Sequence, residues 1–214
     1  DSTKENSINL IKSWLNNFKV KKTIKTKFVS LKDLKYWNFT KNNITHNTKK
    51  FFSIKWISAE IHGREVSKWD QPIIQENDIG LNCFFIQYKN SSYYFLVRAK
   101  REFGLNDHFE IGPTISAIVS NYSNPNDKIP YYKYFCELSK KNYKFDAISS
   151  EEGGRFLNYQ TRNIIININD DFKENIYKDF MWVSYGDLMK LVSYKNTVTV
   201  QARTLLSSIN FCDE

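Results

Sequence analysis

Apolar residues return at Ile8, Ile11, Leu15 and Phe18, with Trp14 alongside, which is the spacing of a helix face over residues 7–20. A shorter helix is predicted over 31–37, with Ser30 as N-cap and Asp33 completing a shortened capping box. Residues 38–50 are polar without a period and read as a loop holding His46. Residues 51–61 alternate as a strand does. The following run HGREVSKWDQPIIQ places Trp69, Gln71 and Pro72 outside any period. Polar and aromatic residues gathered in a loop are candidates for ligand contact.

Residues 79–88 and 93–98 predict a hairpin around Lys89-Asn90-Ser91-Ser92. Its second strand runs from aromatic and β-branched residues into Arg98, Lys100, Arg101 and Glu102. Gly104 breaks it, and Asn106-Asp107 make a turn. A further strand-like run over 109–119, interrupted at Gly112-Pro113, ends in Ser120-Asn121-Tyr122. Two strands that fade into cationic and hydrogen-bonding residues suit the mouth of a pocket for an anionic, hydroxylated ligand; a solvated hairpin with surface charges fits the same pattern. Beyond it a helix over 130–140 opens on Pro130, and strands are predicted at 164–168 and 180–183. Ser184 caps a helix with Asp187, and a last helix over 197–211 turns Leu205, Leu206 and Ile209 to the core. The segment 149–156 packs Glu151, Glu152, Gly153, Gly154 and Arg155 together: either a turn that presents charge or a helix start with acidic residues at its positive end.

With 214 residues, 41% hydrophobic and 25% charged, the chain has enough material for one buried domain. The simplest account is an α+β domain over 46–214 with an N-terminal helical extension over 1–45. The 31 Lys and Arg against 23 Asp and Glu give a net charge of +8, which favours anionic partners. The cluster at 19–27 reads as a solvated connector, and neither an RNA-binding aromatic motif nor a basic helix argues for nucleic acid. Cys83, Cys136 and Cys212 form neither a zinc spacing nor an even disulfide framework. No apolar run approaches a membrane span and no signal-peptide pattern opens the chain, so a cytoplasmic protein is expected. The first residue is Asp rather than Met, so a short start is expected before it.

The segments LVRAKREFG, GPTISAIVSNY, PYYKYF, SEEGGRFLNYQTRN, MWVSYGDLMKLV and QARTLLSSINF, with HNTKKFF and REVSKWDQPII upstream, occur here in an order that resembles the NDP-hexose 2,3-dehydratases. The resemblance covers about 46–211. It implies a Nudix-like mixed β-sheet flanked by helices. It also implies a dTDP-4-keto-6-deoxyglucose substrate that loses its C2 hydroxyl as water, with no metal or redox cofactor. Family members carry two such modules in tandem and this chain one, so a homodimer is the expected assembly. A Nudix box is absent: Glu151 and Glu152 are adjacent and would point to different faces of a helix, so they cannot replace its spaced carboxylates. Pyrophosphate hydrolysis is therefore disfavoured.

Such a dehydration needs a base for the C3 proton, stabilisation of the enolate, and an acid for the leaving hydroxyl. The candidates for proton transfer are Glu102, Tyr122, Glu152 and His46. Arg155 and Arg203, with Lys100 as an alternative, suit the diphosphate through charge-assisted hydrogen bonds. Trp69 and Gln71 suit the nucleoside by stacking and hydrogen bonding, and Asn121 belongs to the same wall as Tyr122. Nothing in the pattern ties Arg98, Arg101 or His108 to the ligand. A non-catalytic dTDP-sugar-binding module is the alternative reading.

Overall fold

The computed structural model describes residues 2–21, 24–168 and 172–209. Helix α1 spans Ser2–Val20. Its face of Ile8, Ile11 and Leu15 is buried in one cluster with Phe84, Phe95, Val97 and Ile111. The residues expected to form an extension thus contribute to the main core.

The meander β1 (Trp37–Phe39), β2 (Asn43–His46), β3 (Ser53–Glu60) and β4 (Lys68–Gln75) forms a 4-stranded antiparallel sheet. Three expectations are corrected here. The helix over 31–37 is only a 3-10 turn at Leu31–Asp33, capped by Ser30, and Trp37 already belongs to β1. The loop over 38–50 is largely the β1–β2 hairpin, whose turn is held by Thr40 Oγ1 accepting from the Asn43 N–H at 3.1 Å. Trp69, Gln71 and Pro72 lie on β4 rather than in a loop. This strand is at the sheet edge, where a proline removes no ladder bond that a neighbour needs. Strands β1 and β2 bury no residue fully, so they leave no period-2 signal. The 45/46 division falls within β2.

The central sheet is mixed. It comprises β5 (Gly80–Lys89), β6 (Ser92–Arg101), β7 (Phe109–Gly112), β8 (Ile115–Ile118), β9 (Tyr143–Ser150), β10 (Gln160–Asn167) and β11 (Phe180–Ser184). Its path is β11-β6-β5-β10-β9, with β7 on β6 and β8 on β5; β10 runs parallel to β5. The predicted β5–β6 hairpin turns through Asn90 and Ser91, both at positive φ, as a two-residue turn requires. Strand β9, unforeseen in the sequence, is an edge strand of alternating intermediate and exposed residues.

Strands β5 and β6 pair only near their turn, over Ile86–Lys89 and Ser92–Phe95. Beyond that they part, β5 taking β8 as partner and β6 taking β7. The fully buried Thr114 wedges the fork: its hydroxyl accepts from the Phe85 N–H at 3.0 Å and donates to the Leu96 carbonyl. The Gly112-Pro113 interruption is therefore the point where the chain crosses from one parted strand to the other.

Helices cover both faces. Helix α1, α4 (Tyr185–Val192) and α5 (Val200–Ser207) pack on one, while α2 (Pro125–Lys128) and α3 (Tyr132–Glu137) lie on the other. The result is the α+β arrangement expected, a mixed sheet between helices. Ser184 caps α4, its hydroxyl accepting from the Asp187 N–H, as predicted. Helix α3 is shorter than 130–140 and begins after Tyr131, which stands at φ 60. Helix α5 is capped by Thr199, and the predicted end at Phe211 lies outside the described residues.

Candidate functional site

The fork between β5 and β6 opens into a cavity of about 1050 Å³. Lys100 points into it with its side chain only 16% exposed. Its stem lies over Gly112, where an added Cβ would approach the Lys100 carbons to 3.0 Å; the missing side chain is what lets the lysine lie there. Lys100 Nζ stands 2.6 Å from Glu102 Oε1 and donates to Ser116 Oγ at 2.8 Å. Glu102 is placed by its own backbone, whose N–H donates to the His108 carbonyl at 2.9 Å.

From Lys100 a chain of donors continues across the sheet toward the edge strand β9. Ser116 Oγ donates to Asn82 Oδ1 at 2.8 Å, Asn82 Nδ2 to Asn163 Oδ1 at 3.2 Å, and Asn163 Nδ2 to Ser149 Oγ at 2.9 Å. Asn82 and Asn163 are both 4% exposed. Buried amides are tolerated only when paired, and donors aligned in one direction reinforce one another. The ammonium is thus anchored through the sheet, not merely attracted to its carboxylate.

A second polar group lies along β10. The Thr161 hydroxyl donates to the Glu151 carboxylate, and Thr161 lines the cavity with Tyr159. The Tyr159 phenol is pushed up to about 12, first by burial and then by the charges of Glu76 and Glu151. At the rim, Asn121 Oδ1 accepts from the Phe51 N–H at 3.2 Å, holding an aromatic residue at φ 65 beside Tyr122. Arg98, Arg101 and Lys178 line another side, where Arg98 Nε bonds Asp179 Oδ2 at 3.0 Å.

Of the residues singled out from the sequence, Lys100, Glu102, Asn121, Tyr122, Glu152 and Arg155 line the cavity. Glu152 and Arg155 are paired with each other at 3.5 Å on its exposed margin. The other four stand elsewhere. His46 is held by aromatic contacts with Trp37 and Phe51, and its Nδ1 lies 2.8 Å from Thr48 Oγ1. Trp69 Nε1 donates to Gln71 Oε1 at 2.7 Å, and Gln71 Nε2 donates to the Gly154 carbonyl at 2.8 Å. They brace the 151–158 loop rather than face the cavity. Arg203 is exposed on α5, outside the cavity lining. Asn82, Ser116, Tyr159, Thr161 and Arg98 are the additions. An amide inside the apolar runs GLNCFFIQ and TRNIIIN was the available signal for the ladder. Among the described residues no three His, Cys, Asp or Glu side chains converge as metal ligands.

The sequence model of the NDP-hexose 2,3-dehydratases matches residues 9–209. A dTDP-4-dehydro-6-deoxy-alpha-D-glucopyranose 2,3-dehydratase of Saccharopolyspora spinosa is 31% identical over 206 residues, covering 95% of this chain and 42% of that protein. The enzyme of the same name from Amycolatopsis orientalis is 26% identical over 200 residues, covering 92% of this chain and 42% of its own length. The chain therefore spans less than half the length of these relatives. Among solved structures, a Nudix hydrolase from M. Smegmatis aligns over 71% of this chain and 91% of its own, with a TM-score of 0.40 and 6% identity.

Proposed function

This chain belongs to the NDP-hexose 2,3-dehydratase family, and from that premise we propose that it removes water across C2 and C3 of a dTDP-4-keto-6-deoxyhexose. The observation that carries the reading is the Lys100–Glu102 pair, 2.6 Å apart within the cavity. Glu102 takes the C3 proton, which the C4 ketone acidifies. Lys100 meets the C4 oxygen as negative charge gathers on it, and an ammonium anchored beforehand stabilises that charge without reorganising. The electrons then return from the enolate, the C2–O bond breaks, and the resulting enol becomes a 3,4-diketo-2,6-dideoxy sugar. Arg98, Arg101, Lys178 and Arg155 offer cations for the diphosphate. Phe51, Tyr122 and Phe156 offer ring faces at the rim for the thymine. A homodimer, expected from the paired modules of the family, is part of this proposal.

The test is incubation with dTDP-4-keto-6-deoxyglucose, followed by mass spectrometry. Loss of one water from the sugar supports the enzyme. Binding of dTDP without turnover would instead mark a sugar-nucleotide-binding module. Light scattering showing only monomer counts against the dimer.

A further inference from the structure

Tyr159 sits in the cavity wall with its ring against Phe156. Its phenolic oxygen lies so close to Gly80 that a Cβ there would overlap it. Gly80 in turn stands beside Thr161 in the parallel β5–β10 register. The phenol and the Thr161 side chain crowd the same point over Gly80, and the Thr161 hydroxyl donates to the Glu151 carboxylate. The Glu151 N–H donates to the Tyr159 carbonyl at 3.0 Å, tying the ends of this group together. All four residues line the cavity. Tyr122, the other tyrosine there, is 40% exposed at the rim.

We propose that Tyr159 is the general acid of the elimination, with Gly80 as the notch that admits its hydroxyl and Thr161 as the positioning residue. This rests on the dehydratase reading and assigns the one role left open there. As the C2–O bond breaks, the departing oxygen takes the bond electrons and receives the Tyr159 proton, leaving as water. Glu102 then holds the former C3 proton, and Tyr159 is a phenolate. The enol product resets both: its C3 hydroxyl returns a proton to Tyr159, and Glu102 delivers its proton to C2. The sum is loss of one water with no oxidant or reductant. A phenol held near 12 is fully protonated at neutral pH, yet is a stronger acid than water at about 15.7, so transfer to a departing hydroxide runs downhill.

The experiment compares water loss from dTDP-4-keto-6-deoxyglucose with fluoride loss from its 2-deoxy-2-fluoro counterpart, in the wild type and in Tyr159→Phe. Fluoride departs without needing a proton. Tyr159→Phe is expected to lose about 100- to 10,000-fold in kcat for water loss with KM unchanged. It keeps near wild-type fluoride release and C3–deuterium exchange with solvent. Gly80→Ala keeps the phenol but pushes it from its notch, so the same split is read a second time. Retained water loss in Tyr159→Phe, or equal loss of both activities in a variant that still binds dTDP, overturns the proposal. A wild-type chain that binds dTDP but eliminates neither group overturns the dehydratase reading itself, and the acid with it.

Discussion

Gln71 Nε2 donates to the Gly154 carbonyl at 2.8 Å, joining the edge strand β4 to the loop that carries Glu151, Glu152 and Arg155. The same loop is bonded to β4 by its backbone, through the Ile74 N–H to the Arg155 carbonyl and the Leu157 N–H to the Ile74 carbonyl. Gln71→Leu is expected to cost about 1 kcal/mol of stability, the usual net worth of one such bond. Thermal melting reads that loss, and hydrogen exchange should rise at 152–157. Trp69→Phe removes the indole bond to Gln71 and should act in the same direction.

Turnover should depend on the ion pair in the cavity more than binding does. Glu102→Gln is expected to lower kcat by about 100- to 10,000-fold, and Lys100→Met to lower it strongly as well. Both should still bind dTDP in a calorimetric titration, because neither removes the cations at Arg98, Arg101 and Lys178.

The amide ladder behind Lys100 should show the energetics of a buried polar pair. Asn82→Leu leaves Asn163 without its neighbour and is expected to cost about 1–3 kcal/mol. Replacing Asn82 and Asn163 together by Leu should cost less than the two single changes summed, because the orphaned partner is gone. Denaturant unfolding of the three variants decides this.

His46 and Arg203 stand outside the cavity, so changing them should leave turnover within about twofold. His46→Phe preserves the ring contacts with Trp37 and Phe51, and Arg203→Ala alters an exposed helix position. A large loss of kcat in either variant would restore that residue to the reaction.

The raised Tyr159 phenol makes stability depend on alkaline pH. Between its ordinary 10.0 and about 12, the folded chain keeps a proton that the unfolded chain has released. Stability contributed in this way is fully present below 10.0 and falls as pH rises toward about 12. Tyr159→Phe should flatten that fall, which unfolding curves across the window would show.

Much of the architecture is legible from pattern. The stripe of α1, the β5–β6 hairpin with its turn, and the Ser184–Asp187 cap of α4 each declare themselves within a few neighbouring residues. The edge strands β1, β4 and β9 do not: β1 is three residues long, and in β4 and β9 the alternation is between half-buried and exposed positions, with little apolar contrast in the residues themselves. The family segments hold Lys100, Glu102, Asn121 and Tyr122, which line the cavity, and also Trp69, Gln71 and Arg203, which stand outside its lining. What the sequence determines by itself is local: periodicity, caps and turns arise from residues close in the chain. Only the tertiary structure sets Gly80 beside Thr161, Ser116 beside Asn82 and Lys100 over Gly112. Those pairs depend on strand register and on where two strands part, which the packing of the whole sheet decides.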